Sequence, residues 1–383
     1  MSSPDAVAAG FQPERLARVR RIFEEQQRSG RFPGGQLVVR RRGHVALDVA
    51  VGVARGVRPS EHEAATPVTS ATRFAVFSAS KPVVALAIAM LEDRGLLDVN
   101  AKVASYFPAF AAHGKAELSV LDVLTHRAGV FTPKLLASPR DWGNEERVRA
   151  ALVDATPRYP RGTLAYMPYE FGWILSEVVR GAIGRKLDEF IRSEIAEPAG
   201  IPGLRFGALP SELSSLGRAY WVGTGSVKVA GVELSDTFEH DNNLPEVLTA
   251  FVPAAGLVCT ADDLSAFYEV LARGGVTRSG QRLLSADALA RYTSAGRARF
   301  DRSNRIPLRI GRGFLLGNRT PSIYGWWNTQ SCFGHAGAFC SLAWADPELD
   351  LAVGIVTNGN RGPFESLFRF APLGSALRRA CLG

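Results

Sequence analysis

A serine and a lysine stand three positions apart where a polar stretch gives way to a long apolar run, in FAVFSASKPVVALAIAML (residues 74–91). Residues i and i+3 lie on one face of a helix, so Ser78 Oγ and Lys81 Nζ can approach each other. The start of a helix stabilises nearby negative charge, and partial burial favours a neutral lysine, which can accept the serine proton. Of six lysines only Lys81 follows a serine at this spacing, and chance alone would supply such a match about one time in three. The spacing by itself therefore leaves a nucleophile and an ordinary helix start both open.

A tyrosine just ahead of a predicted helix is the second candidate, in TLAYMPYEFGWILSEVV (residues 163–179). The phenolic oxygen of Tyr166, as phenolate, is a strong base at the right distance from a nucleophile. A lone tyrosine is more often a packing aromatic, and Tyr169 competes for the same role.

A run of small residues is the third candidate, in FGHAGAFCSLAW (residues 333–344). Glycine and alanine at 334 and 336–338 let the backbone at the head of a strand approach a ligand closely. A backbone N–H there, together with that of Ser78, can form an oxyanion hole. An edge-strand bulge with His335 on the surface explains the same pattern equally well.

Composition narrows the function classes. The chain has 383 residues, of which 46% are hydrophobic and 21% charged, as in ordinary globular proteins. The net charge is +8, but the basic residues are scattered among acidic ones on predicted helices, and Arg40-Arg41-Arg42 before Gly43 predicts an exposed hairpin turn. We therefore expect no nucleic-acid partner.

Other patterns bear on location and cofactors. No apolar run reaches the length of about 18 residues that a membrane span needs, and the N-terminal segment does not read as a secretion signal. The four cysteines show no CxxC spacing and fit small buried hydrophobes in a reducing compartment. The sequence has no GxSxG elbow, HExxH, metal-spaced Cys/His cluster or GxxxxGK[ST] loop. We expect a cytoplasmic protein with no membrane partner, no cofactor and no metal.

The elements that would position these residues follow from hydrophobic periodicity and helix caps. Because strands near both ends enclose the helices, we expect the two ends to meet in one sheet. Ser119 and Thr260 are predicted helix caps. Helices are predicted over residues 13–29, 82–91, 119–129, 171–184, 186–195, 260–274 and 364–379, and strands within 34–52 and through the last third of the chain.

The order of these segments resembles the serine β-lactamase and penicillin-binding protein superfamily. More narrowly it resembles the class C β-lactamase-like esterases, called family VIII carboxylesterases. Five segments in family order carry the resemblance: FPGGQLVVRRRGHVAL, TRFAVFSASKP, LSVLDVLTHRAGV, PAAGLVCTADDLSAF and FGHAGAFCSLAWADPELDLAVGIVTN.

The resemblance implies an α+β fold of the β-lactamase/transpeptidase type. A central antiparallel sheet flanked by helices would be joined by a mostly helical second domain. Residues 1–83 and 172–383 would form the α/β domain from both chain ends, and residues 84–171 the helical one. The active site would lie between the two domains.

The resemblance also implies roles for individual residues. Ser78 would be the acylated nucleophile and Lys81 its general base or proton relay. Tyr166 would share proton transfer with Lys81 in acylation and in activating the deacylating water. The backbone N–H groups of Ser78 and Ala338 would hold the oxyanion.

Further residues are candidates for binding substrate. His335 and Gly337 stand in the HxG motif, and Tyr169, Trp326 and Trp327 are candidates for a pocket wall, although ordinary packing explains the two tryptophans equally well. His126, in the LTHRAG segment, is expected to make a structural hydrogen bond rather than act as a base. Residues 204–243 are the least readable, and are interpreted as a flap that shapes the acyl pocket.

Two departures from the family pattern bear on substrate. Pro168 stands where class C β-lactamases have an asparagine, and it has neither a side-chain donor nor an N–H. His335-Ala336-Gly337 replaces KTG, so a mostly neutral imidazole replaces a fixed cation. Both changes favour small uncharged esters over β-lactams or peptidoglycan.

Three hypotheses follow. The first is a serine carboxylesterase that hydrolyses short-chain esters through an acyl-enzyme. The second uses the same Ser-Lys-Tyr machinery as an acyltransferase, amide hydrolase or weak β-lactamase. The third is a catalytically inactive homologue that binds a ligand. The expected partner is a small-molecule ester, and the oligomeric state is left open.

Overall fold

The computed structural model of the protein describes residues 4–223, 228–229, 232–233, 237–338 and 340–381. Its helices are α1 Pro4–Ala8, α2 Pro13–Arg28, α3 Lys81–Asp93, α4 Val103–Tyr106, α5 Val120–Leu124, α6 Pro133–Leu136, α7 Glu145–Asp154, α8 Glu170–Ile183, α9 Leu187–Ile191, α10 Glu197–Ala199, α11 Phe238–Asn242, α12 Pro245–Leu248, α13 Ala261–Ala272, α14 Ala286–Tyr292 and α15 Pro363–Ala380. Its strands are β1 Gly34–Arg41, β2 His44–Arg55, β3 Thr66–Pro67, β4 Phe74–Ala75, β5 Arg205–Phe206, β6 Tyr220–Trp221, β7 Lys228–Val229, β8 Val232–Glu233, β9 Leu257–Cys259, β10 Arg299–Asp301, β11 Ile306–Leu308, β12 Leu315–Leu316, β13 Phe333–Gly337, β14 Ser341–Asp346, β15 Leu351–Thr357 and β16 Gly359–Asn360.

A seven-stranded antiparallel sheet joins the two ends of the chain. Its strand order is β12-β13-β14-β15-β1-β2-β3, and β1 pairs with β15 from Gly35 opposite Thr357 to Arg41 opposite Leu351. The expected meeting of the two ends in one sheet is therefore confirmed.

Helical layers cover both faces of this sheet. Alternate residues of a strand point to opposite faces, and along β1 Leu37 and Val39 join the core against α2 and α15. Val38, between them, joins the larger core that includes α3 and α13. Every residue of β1 is buried, so this central strand has protein on both sides.

Helix α13 approaches the sheet closely because β15 has a glycine beneath it. A Cβ added at Gly354 would lie 2.1 Å from the carbonyl oxygen of Ala261. The predicted cap at the start of α13 is confirmed, since the Thr260 side chain accepts from Asp263 N. The predicted cap at Ser119 is confirmed in the same way by Asp122 N.

The hairpin between β1 and β2 has the predicted turn but not the predicted exposure. Arg42 and Gly43 both have positive φ, 51° and 81°, as a two-residue type I′ turn requires. Arg40 and Arg41, however, are buried. Arg40 pairs with Asp262 at 2.5 Å, and Arg41 donates to three main-chain carbonyl groups. The expectation that all three arginines are exposed was wrong because two of them have buried partners from distant segments.

The regular elements within residues 84–171, all of which the structure describes, are helical. The domain limits proposed at 83/84 and 171/172 stay a prediction. Within the described residues, no helix combines the length and the apolarity that crossing a membrane requires. The predicted flap at 204–243 falls partly outside the described residues.

Candidate active site

The serine stands on a short 3₁₀ turn, Phe77–Ser80, that runs directly into α3 at Lys81. Phe77 has φ of 52°, a left-handed conformation that a bulky residue seldom adopts and that surrounding structure must hold in place. Two contacts hold it, since Val76 N donates to Leu257 O at 3.0 Å and Ser80 Oγ donates to Phe77 O at 2.5 Å. The backbone therefore bends just before Ser78.

Lys81 is completely buried and has three oxygen neighbours. Its Nζ lies 3.1 Å from Ser78 Oγ, and it donates to the carbonyl oxygens of Pro168 at 2.6 Å and Ala254 at 3.1 Å. A neutral amine has two N–H groups and one lone pair. Because a carbonyl oxygen only accepts, the two carbonyl groups take both N–H groups of the neutral amine. Its lone pair is then left for the Ser78 hydroxyl.

Burial lowers the pKa of Lys81 to about 7, and the negative charge of Glu170 opposes that shift. Glu170 is itself fully buried and accepts hydrogen bonds from Thr132 N and Thr132 Oγ1, both at 2.8 Å. A substantial fraction of Lys81 is therefore neutral at neutral pH and able to accept a proton.

Tyr166 completes the group. Its side chain hydrogen-bonds with Ser78, and Lys81 Nζ lies 5.0 Å from the centre of its ring. Burial raises the pKa of the phenol above its usual value of 10, so the hydroxyl keeps its proton at neutral pH. The phenol is therefore placed to pass a proton on, whereas Lys81 is the group with a free lone pair.

His126 supports Tyr166 from the opposite side to the nucleophile helix. The two rings stack with centroids 4.5 Å apart, and Met167 N donates to His126 Nδ1 at 3.0 Å. Burial lowers the pKa of His126 well below 6.5, which fits a neutral ring that accepts at Nδ1. The expected structural hydrogen bond is thus present.

His335 lies where the resemblance places it, at 6.0 Å between its ring centre and that of Tyr166. It is buried, and burial together with the charge of Lys81 lowers its pKa to about 3. Its Nδ1 is 2.6 Å from Ala336 O, so Nδ1 carries the proton and Nε2 is an acceptor. The position of the KTG lysine is thus occupied by a neutral group.

The end of β13 packs directly on the turn that carries Ser78. A Cβ added at Gly337 would lie 1.9 Å from Val76 O, so only glycine allows this contact. Ser341 Oγ also donates to Val76 O, at 2.7 Å. Ala338, with φ of 40°, packs in one cluster with Phe77. The two backbone segments named for the oxyanion hole are therefore neighbours.

Comparison with known proteins agrees with this geometry. The family model described as Beta-lactamase matches residues 19–374. The chain belongs to the β-lactamase family. It is a serine hydrolase of the β-lactamase/transpeptidase-like α+β fold, and the family resemblance inferred from the sequence is confirmed.

Relatives and solved structures extend the comparison over nearly the whole chain. The esterase/β-lactamase LipL of Mycobacterium tuberculosis is 31% identical over 376 residues, which cover 91% of this chain and 82% of LipL. A penicillin-binding protein homologue from Caulobacter crescentus superposes with a TM-score of 0.82 at 27% identity, covering 97% of this chain and 99% of its own. A family VIII carboxylesterase gives 0.79 at 26% identity, with coverages of 97% and 99%.

Tyr169 lies beside the family's Ser-Lys-Tyr group, in the wall of a small apolar pocket. Its ring lies 4.5 Å from that of Trp142, and both line the pocket together with Phe77, the residue before the serine. Further lining comes from Ala75, Asn242, Val247, Leu248, Val252, Ala255, Gly256 and Val258.

The two tryptophans are placed elsewhere in this β-lactamase-family fold, contrary to expectation. Trp326 N donates to Ser375 Oγ, and its ring lies 6.4 Å from that of Phe368. Trp327 is 66% exposed, and its carbonyl accepts from Arg378. Both therefore contact α15, which covers the face of the sheet opposite α3. The pocket-wall prediction for them is corrected because the loop before β13 turns toward the last helix.

Sequence reasoning missed the groups that surround the reactive side chains in this hydrolase. The carbonyl groups of Pro168 and Ala254 hold Lys81, although the Ala254 segment, PAAGL, had been singled out as a family motif. Glu170 and Asp301 gave no signal. Asp301 is completely buried and accepts from Tyr166 N at 2.8 Å, but it lies 135 residues away in sequence.

Proposed function

We propose that this protein is a serine carboxylesterase that hydrolyses short-chain esters through an acyl-enzyme intermediate. The observation that carries the proposal is the surrounding of Lys81. Two carbonyl acceptors occupy its N–H groups and its pKa is lowered to about 7. The neutral amine then faces the Ser78 hydroxyl, as a general base must.

In the acylation half, Ser78 Oγ attacks the ester carbonyl carbon while its proton passes to Lys81 Nζ. The backbone N–H groups of Ser78 and Ala338 stabilise the oxyanion of the tetrahedral intermediate. As the C–O bond to the alcohol breaks, Tyr166 donates its phenolic proton to the leaving oxygen. The Lys81 ammonium then returns a proton to Tyr166.

In the deacylation half, a water attacks the acyl carbonyl carbon and loses a proton to the same Lys81–Tyr166 pair. The bond between the acyl carbon and Ser78 Oγ then breaks, and Oγ recovers the proton from Lys81. The carboxylic acid leaves and the resting state is restored, so the two halves need no group beyond this machinery.

The preference for small uncharged esters rests on three features around the serine. His335 is neutral where the KTG motif supplies a cation, so a substrate carboxylate gains little attraction there. Pro168 offers no donor at the position of the asparagine. The pocket that Phe77, Trp142 and Tyr169 line is small and apolar, which suits a short acyl chain.

A β-lactamase side activity is the second candidate. It is favoured by the relative LipL, which is named both an esterase and a β-lactamase. The same nucleophile and base would open a β-lactam ring. Acyl transfer to an alcohol and amide hydrolysis use these groups too, and an alcohol acceptor that lowers the yield of free acid would indicate transfer.

The test is pre-steady-state release of p-nitrophenol from its acetate and butyrate esters, with nitrocefin alongside. For the wild type we expect a burst equal to the enzyme concentration and little nitrocefin turnover. Ser78→Ala should lose the burst, and Ser214→Ala, a change at an exposed serine, should keep it. Rapid nitrocefin turnover would overturn the ester preference. Absence of a burst, with no labelling by an active-site phosphonate, would move the function to ligand binding.

We also propose the cytoplasm as the compartment. Cys259, Cys332 and Cys340 are free and buried, as small apolar side chains in a reducing environment would be. Cell fractionation that recovers the esterase activity outside the cytoplasm would contradict this.

A further inference from the structure

The backbone around Tyr166 lies between two segments that come from distant parts of the chain. Tyr166 is on a short irregular stretch between a turn and α8. On one side Ala165 N donates to His126 O at 2.9 Å and Met167 N donates to His126 Nδ1 at 3.0 Å. Alternate N–H groups of an extended chain point to opposite sides, so the N–H of Tyr166 itself faces away from His126.

The other side is held by the hairpin of β10 and β11. Tyr166 N donates to Asp301 Oδ1 at 2.8 Å, and Arg302 N donates to Leu164 O at 2.9 Å. Ser303 Oγ lies 3.0 Å from Tyr166 O. The hairpin therefore contacts both the donor and the acceptor of the Tyr166 peptide unit.

Asp301 also organises the loop from which it acts. Its carboxylate accepts from Ser303 N at 3.2 Å and from Asn304 N at 3.1 Å, and Arg305 N donates to its main-chain oxygen at 2.8 Å. The Ser303 hydroxyl has one proton to share between Tyr166 O and this carboxylate. One buried carboxylate thus closes the loop and holds the tyrosine at the same time.

We propose that Asp301, with the loop it organises, positions the Tyr166 phenol for proton transfer at Ser78, an inference that rests on the function proposed above. Asp301 does not reach the reacting atoms, so it is a positioning residue. It lies outside the five segments that carry the family resemblance, in a hairpin whose Phe300 and Ile306 are exposed. Because a shift of about 1 Å at a reacting group can lower a rate about 100-fold, losing the contacts of Asp301 should act on the rate.

The test is a double-mutant cycle on the acylation rate constant, measured as the rate of the p-nitrophenol burst. Asp301→Ala should lower that constant roughly 30- to 100-fold, with KM changed less than about threefold. Tyr166→Phe should lower it about 100-fold or more. The double variant should be no slower than Tyr166→Phe, because Asp301 acts through the phenol. Multiplying effects, or a wild-type rate in Asp301→Ala, would overturn the proposal.

Two further variants separate positioning from folding. Asp301→Asn keeps an oxygen that can accept from Tyr166 N and should stay within about fivefold of the wild-type rate. Asp346→Asn changes another completely buried carboxylate, which pairs with Arg378, and should lower the melting temperature without changing the burst rate. If Asp301→Ala does not fold, a rate in Asp301→Asn as low as that of Tyr166→Phe overturns the proposal. Loss of the burst in Ser78→Ala tests the acyl-enzyme separately, so the two failures are distinguishable.

Discussion

The nucleophile turn and the tyrosine segment serve the same site but are built in opposite ways. Ser78 and Lys81 are three residues apart at the start of one helix, so helix geometry alone brings them to 3.1 Å. Tyr166 is on irregular backbone, and residues 40 and 135 positions away hold it. A local pair needs only its own helix, whereas a residue on irregular backbone depends on every distant contact. Substitutions far from the serine should therefore affect the tyrosine segment more than the nucleophile turn.

Lys81→Met breaks the nucleophile turn and should give the largest effect. We expect acylation to fall roughly 1,000-fold, since the base is lost while its volume is kept. The melting temperature should rise by about 1–3 °C because a buried amine is replaced by an apolar side chain. Burst kinetics and thermal unfolding measure both quantities, with Lys102→Met, at an exposed lysine, as the control. An active Lys81→Met protein would exclude the lysine as base.

His126→Ala breaks the tyrosine segment instead. The change removes the acceptor of Met167 N and the stacking partner of Tyr166. We expect acylation to fall roughly 30-fold and the free energy of unfolding to fall by about 3 kcal/mol. Stopped-flow kinetics and urea unfolding give the two values. His113→Ala, at an exposed histidine, should change neither. A loss of stability with an unchanged rate would mean that the tyrosine does not depend on this support.

The pH dependence sharpens the comparison, because only the nucleophile turn titrates near neutrality. Protonated Lys81 cannot accept a proton, so kcat/KM should rise with pH through about 7 and be about tenfold lower at pH 6 than at pH 8. Burial lowers the folded-state pKa of Lys81 below 10.5. The unfolded state therefore binds more protons between about pH 7 and 10.5, and this group's contribution to stability rises with pH across that window. A profile that is flat from pH 6 to 8 would contradict the assignment.

The smallest effect is expected at Trp327. Because its contact is with Arg378 of the last helix and its side chain is largely exposed, Trp327→Ala should change kcat/KM less than about twofold. Trp142→Ala, in the apolar pocket beside Tyr169, is the matched comparison and should change the preference between acetate and butyrate esters. A large effect at Trp327 would restore the pocket-wall prediction.

Prediction from the sequence worked best where the signal was local. The capped helix that begins after Thr260 and the hairpin turn at Arg42 and Gly43 follow from neighbouring residue types, and both are confirmed. The burial of Arg40 and the place of Trp326 were missed. Both depend on which distant segment arrives beside them, and an arginine or a tryptophan is equally compatible with either outcome.

By itself, the sequence determined the family, the order of the elements and the pairing of Ser78 with Lys81. Helix periodicity and motif spacing are properties of the linear chain. Only the tertiary structure decided that Lys81 is a base. Its proton affinity depends on burial and on the carbonyl groups of Pro168 and Ala254, which lie 87 and 173 residues away. Loss of hydration and hydrogen bonding at one nitrogen are set by the folded surroundings as a whole, so a residue type and its spacing cannot determine them.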